Sequence, residues 1–90
     1  SQTLFGQNTL QITVRSEDER QPLAGANVYF DSLQIGASTD AHGLAEINNI
    51  PNGRYTLIVS YVGYRTKKFS LKFVGKKVKR HLAVFLEPAP

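Results

Sequence analysis

Apolar and polar residues alternate along this chain in short bursts, and turn-forming residues separate the bursts. Leu10, Ile12 and Val14 alternate with Thr9, Gln11 and Thr13. That period of two predicts a strand with one buried face over about residues 7–15. Ser16 to Gln21 (SEDERQ) reads as a solvated loop, and Pro22 closes it because proline has no N–H for a ladder. Leu23, Ala26, Val28 and Phe30 continue the inward row, with Gly25 permitting a bend. A short strand is predicted at Ile35 to Thr39. The next turn is Asp40 to Gly43 (DAHG), where the Asp40 carboxylate can accept backbone N–H groups and Gly43 tolerates positive φ. Leu44 to Ile47 makes the returning strand.

Asn48 to Tyr64 (NNIPNGRYTLIVSYVGY) joins a Pro-Asn-Gly turn to a run of β-branched and aromatic residues, which predicts a hairpin. Within it Tyr55, Leu57, Val59 and Tyr61 are the expected core face, because Thr56 and Ser60 occupy the other. Phe69, Leu71 and Phe73 form a further inward row, and Gly75-Lys76-Lys77 turns the chain. Leu82, Val84 and Leu86 form the last row before Pro88 ends pairing. Seven short strands with regularly spaced turn signals predict an all-β fold, a seven-stranded antiparallel β-sandwich. No segment carries a capped helical period, and there is no internal repeat. The core is expected over about residues 9–86, with Ser1 to Gln7 and Pro88 to Pro90 as linker-like ends.

The 90 residues make one small domain built on a single core. Cysteine is absent, which excludes a disulfide scaffold, a thiolate metal site and a cysteine nucleophile. No apolar run approaches the roughly 20 residues of a membrane-spanning helix. A chain that begins at Ser1-Gln2 fits a processed or excised protein, such as a mature end left by signal cleavage. Charge is segregated. Residues 1–64 carry three arginines against six carboxylates, a net −3. Residues 65–90 carry eight cations against Glu87 alone, a net +7. Such asymmetry bears on partners rather than on fold.

The ordered segments PLAGANVYF, IGASTDAHGLAEI and IPNGRYTLIVSYVGYRT resemble the carboxypeptidase regulatory-like domain. The likeness is greatest to the form at the N-terminus of SusC-type TonB-dependent outer-membrane receptors of Bacteroidetes. It covers about residues 9–86. The resemblance implies a transthyretin-like (prealbumin-like), Greek-key sandwich exported to the periplasmic side of the bacterial outer membrane. In the receptors this domain precedes a plug and a barrel. The residues after Leu86 show no acidic-plus-valine TonB box. The resemblance also implies a non-catalytic accessory role in protein contact or spacing during nutrient uptake. The partner would be the receptor plug or barrel, the energising complex, or an acidic envelope surface. The alternative is a carbohydrate- or surface-binding module of an exported adhesin or enzyme.

The candidate chemistry is sparse. A nucleophile–base pair would need a Ser or Thr near His42 or His81, with an orienting acid. Asp40 and His42, two apart in a turn, make no triad, so no catalytic residue is assigned. Asp31, Asp40, His42 and Glu46 lack the spacing of a zinc or calcium site, and no metal or cofactor is expected. A Lys–Asn isopeptide crosslink is rejected, because the first strand has no lysine and the last no Asn or Asp. The basic run is the candidate partner-binding face: Lys67, Lys68, Lys72, Lys76, Lys77, Lys79 and Arg80. It reads either as the solvated outside of a two-strand hairpin or as an electrostatic contact with an acidic partner. Phe69 and Phe73 interleave with the lysines but fall on core positions, so nucleic acid is not expected. Tyr55, Tyr61 and Tyr64 read either as a stacking platform or as packing residues, with Tyr55 expected to tie its hydroxyl to loop backbone.

Overall fold

The computed structural model describes residues 7–90. Most of the expected free N-terminal segment, residues 1–6, therefore lies outside the described residues. Seven strands follow in order: β1 (Asn8–Ser16), β2 (Asn27–Phe30), β3 (Ile35–Ser38), β4 (Leu44–Ile50), β5 (Gly53–Ser60), β6 (Lys67–Phe73) and β7 (Lys79–Leu86). They form a three-stranded sheet in the order β4-β1-β7 and a four-stranded sheet in the order β3-β2-β5-β6. The two sheets face each other as a β-sandwich. Leu10, Ile12, Val14, Ala45, Ile47, Ile50, Val84 and Leu86 are buried from one side, and Val28, Phe30, Leu57, Val59, Leu71 and Phe73 from the other. Burying each of the larger side chains contributes about 1.5–3 kcal/mol relative to exposure.

The alternation read from the sequence is the alternation observed. β1 is buried and half-buried by turns along its whole length. The Asp40 turn also forms as expected, with its carboxylate accepting from the His42 amide at 2.8 Å and the Leu44 amide at 3.0 Å. Gly43 stands at φ 76, and a Cβ there would lie 2.5 Å from the Val14 carbonyl oxygen. That conformation and that closeness both require glycine.

Three expectations are corrected. First, one ladder is parallel: β1 and β7 run in the same direction in register from Thr9↔Lys79 to Ser16↔Leu86, while every other named pair is antiparallel. Second, Asn48 to Tyr64 is not a hairpin. β4 and β5 belong to different sheets, so the Pro51–Asn52 turn carries the chain across the sandwich. A bulge precedes the crossing: Leu10 pairs with Ile47 but Asn8 pairs with Ile50. Asn49, at φ 62, absorbs the extra residue, and Ile47 and Ile50 both point into the core. Third, β6 and β7 also lie in different sheets, so the basic run is not one hairpin. In each case a period of two marks which face is buried but not which sheet the next strand joins.

The C-terminal segment is also more structured than a free linker. Tyr64 forms a bridge with Pro88, the Arg65 amide donates to the Glu87 carbonyl, and the Ala89 amide donates to the Gly63 carbonyl, each at 2.8 Å.

Candidate functional site

β6 and β7 are edge strands of the two sheets, and the chain between them, Val74 to Val78, wraps one end of the sandwich. This arrangement gathers the basic run along one side. Lys68 and Lys72 stand on the outer, exposed face of β6, and Lys67 is half-buried on its inner face. Lys76 and Lys77 are exposed in the connecting loop, and Lys79 is exposed at the start of β7. Arg80 differs from the others. It is half-buried, its Nη1 donates to the Lys72 carbonyl at 3.0 Å, and its guanidinium carbon lies 5.5 Å from the centre of the Phe73 ring. It pins the two edges together and covers the end of the core, so it serves packing as well as charge. The interleaved aromatics occupy inner positions: Phe73 is fully buried and Phe69 half-buried.

An amide cluster sits under the loop. The Asn8 side chain, only 1% exposed, donates to the Ile50 carbonyl at 2.8 Å and to Asn52 Oδ1 at 2.9 Å. Its oxygen accepts from the Val78 amide at 2.9 Å. Asn52 in turn donates to the Gly75 carbonyl at 2.8 Å. Three strand ends thus converge on one side chain that the sequence presents only as the start of a strand. A cleft of about 360 Å³ opens beside it, lined by Gln7, Asn8, Asn52, Gly75 and Lys76.

The histidines separate. His42 is exposed in the Asp40 turn. Hydrogen bonds from the Leu44 and His42 amides hold the Asp40 carboxyl below its ordinary value. His81 has a partner that sequence reasoning missed: Thr13 Oγ1 lies 2.9 Å from its Nε2. The two are adjacent only because β1 and β7 pair in parallel register. The pair lies on the exposed outer face of the sheet, and the nearby Glu46 is engaged with Gln11 at 3.2 Å. A hydroxyl and an imidazole without an oriented acid or a substrate pocket do not make an activated nucleophile. Among the described residues no group of three or more His, Asp or Glu side chains is placed to hold a metal ion. Among the same residues no helix is long and apolar enough to cross a membrane.

The tyrosines divide too. Tyr55 packs edge-on to Phe30, with ring centroids 5.8 Å apart, and its hydroxyl donates to the Asn52 carbonyl at 2.9 Å, as expected. Tyr61 falls just beyond β5 and pairs with Tyr64 at 5.5 Å, so both are half-buried packing residues. Among the described residues, the exposed aromatic is one the sequence did not single out. Tyr29, 37% exposed, borders a shallow open depression of about 490 Å³ with Asn27, Gly36, Ser38 and Ser60. A Cβ at Gly36 would lie 2.6 Å from Tyr29 Cβ, so glycine is what lets these neighbours sit side by side.

Comparison with known structures follows the fold. A chain of a type II cohesin–X-dockerin complex from Acetivibrio cellulolyticus is similar at a TM-score of 0.66 with 22% identity, covering 86% of this chain and 52% of that one. The TIE protein of Bacillus anthracis is similar at 0.63 with 24% identity, covering 93% and 16% respectively. A Bacteroides uniformis protein named as a candidate carbohydrate binder is similar at 0.65 with 10% identity, covering 92% and 42%. At these identities the likeness is one of fold, and this chain spans about half or less of the length of each. No curated protein sequence matches it. The CarboxypepD_reg-like domain family matches residues 11–89, which is nearly all of the strand-forming chain. The protein belongs to the CarboxypepD_reg-like domain family.

Proposed function

We propose that this is a non-enzymatic accessory module of an exported, outer-membrane protein, acting in protein contact and spacing on the periplasmic side. The larger protein is a TonB-dependent receptor that carries the module N-terminal to its plug and barrel during nutrient uptake. The observation that carries the contact role is the cationic side itself. Six exposed or half-exposed lysines and the anchored Arg80 are collected there by two edge strands and one loop, a field suited to an acidic partner. The spacing role draws on the parallel β1/β7 ladder, which sets Asn8 and Leu86 at opposite ends of the sandwich, roughly 26 Å apart along the strands. Deletion of residues 1–90 from the full-length protein is expected to change transport while leaving barrel assembly intact. Unchanged transport refutes the reading. Charge reversal at Lys76, Lys77 and Lys79 is expected to weaken partner capture, as is added salt.

The depression beside Tyr29 favours a second reading, a carbohydrate-binding module. An exposed ring flanked by Asn27, Ser38 and Ser60 offers a stacking face with amide and hydroxyl partners. Tyr29→Ala should then abolish retention on a glycan array without moving Tm, and no retention of the unmodified protein on any glycan would reject it.

A further inference from the structure

Among the four edge strands, β6 alone is cationic along its length. β3 spans only four residues, β4 contributes Glu46 and no cation, and the cations of β7 are confined to its first two residues. The main-chain groups that β6 leaves free follow from the ladders. The Thr39 amide donates to the Ala26 carbonyl, so the Ala26, Val28 and Phe30 main-chain groups face β3. Alternation then turns Asn27 and Tyr29 toward Ser60 and Ile58 of β5. Leu57 and Tyr55 accordingly face Phe69 and Leu71 of β6. The N–H and C=O groups of Lys68, Ser70 and Lys72 are left pointing away from the sheet. The Lys72 carbonyl agrees, because Arg80 of the other sheet reaches it.

The side chains sort the same way. Lys68, Ser70 and Lys72 project on the outer face, while Phe69 projects inward and remains half-buried at the rim. We infer that β6 accepts an extended acidic segment of a partner protein as an added strand, with its acidic side chains beside Lys68 and Lys72 and its apolar ones over Phe69. This rests on reading the cationic side as a contact surface and specifies how the contact is made. Strand addition supplies affinity through main-chain hydrogen bonds and specificity through alternate side chains. The lysines supply the selection. They repel a second copy of β6, and they deny the edge to neutral strands, which cannot compensate their desolvation. An alternating acidic strand reverses both effects. Arg80 limits the site, since it already occupies the Lys72 carbonyl and so confines pairing to the Lys68–Ser70 end and the Lys72 amide.

The test uses a short fluorescent peptide that alternates glutamate with valine, titrated onto the protein by anisotropy at low salt. A second peptide has the same sequence but carries N-methyl groups on the amides that would face β6. It keeps the charge and loses the donors. Ser70→Pro is the matching change on the protein. It removes an outward N–H on an edge strand, where proline is tolerated, and an unchanged thermal midpoint verifies its fold. The first peptide should bind, with amide exchange slowed at Lys68, Ser70 and Lys72. N-methylation and Ser70→Pro should each weaken it at least about tenfold, and Lys68→Glu with Lys72→Glu should abolish it. Equal binding of the two peptides, with both lost in the lysine variant, overturns strand addition while leaving an electrostatic contact in place. Absence of binding by either peptide overturns it as well, and the deletion experiment in the full-length protein then judges the contact role separately.

Discussion

Replacing Asn8 tests whether one buried amide organises an end of the sandwich. Asn8→Ala removes two donated bonds and one accepted bond at 2.8–2.9 Å. The losses are unequal. Asn52 and Val78 are partly open to water and can be re-solvated, whereas the bond to the Ile50 carbonyl is buried. Stranding a buried polar group costs about 1–3 kcal/mol, and each re-solvated bond about 0.5–1.5 kcal/mol. The variant should therefore be destabilised by about 2–6 kcal/mol. At about 4–8 °C per kcal/mol for a domain of this size, Tm should fall by at least about 8 °C.

Asn8→Asp sharpens the test. It keeps an acceptor for the Val78 amide but sets oxygen against the Ile50 carbonyl, and it buries a charge. Burial and the facing carbonyl raise the pKa of the new carboxyl in the folded protein above its unfolded value. Its ionised form therefore destabilises the fold at neutral pH, and stability returns as pH falls through the raised value. Urea denaturation of the three proteins at neutral and mildly acidic pH measures both effects. A loss below about 0.5 kcal/mol for Asn8→Ala, or an Asp variant whose stability does not improve on acidification, refutes this account.

Asp40 has the opposite sign. Its folded pKa lies below the ordinary 3.8 because the Leu44 and His42 amides donate to it, so its contribution is complete above the unfolded value and is lost as pH falls through the lower folded one; Asp40→Asn should flatten that part of the acid-unfolding profile. Phe30→Ala, which empties a fully buried site packed on Phe73 at 6.1 Å and Tyr55 at 5.8 Å, should cost about 3–5 kcal/mol in urea denaturation. Tyr55→Phe should cost no more than about 1 kcal/mol, since its hydroxyl bond to Asn52 is exposed, and a larger loss would mean that the hydroxyl holds the crossing turn in place.

The strands were legible because each buries one face, and a period of two records that directly. Leu10 to Val14, Leu57 to Val59 and Leu71 to Phe73 all fall where their alternation puts them. Sheet membership was not legible. Pro51-Asn52 and Gly75-Lys76-Lys77 carry the residues of ordinary tight turns, yet both cross between sheets. What sends them across is distant: Asn8 gathers Ile50, Asn52 and Val78 from 42, 44 and 70 residues away. The Thr13–His81 pair and the side-by-side setting of Tyr29 and Gly36 were hidden for the same reason, since each exists only once register is fixed. The basic residues were visible in composition, but their division between two edges, and the tying down of Arg80, came only with the topology.

The parallel pairing of β1 with β7 has a mechanical consequence. Tension applied between the far ends of these two strands, at Asn8 and Leu86, runs along the ladder rather than across it. The eight register pairs from Thr9↔Lys79 to Ser16↔Leu86 are then sheared together instead of being peeled one after another. The evenly spaced, slanted bonds of a parallel ladder share that load, so rupture requires many of them to fail at once. A sandwich closed by an antiparallel hairpin with both ends at one pole would unzip under the same pull; this one resists it as a clamp.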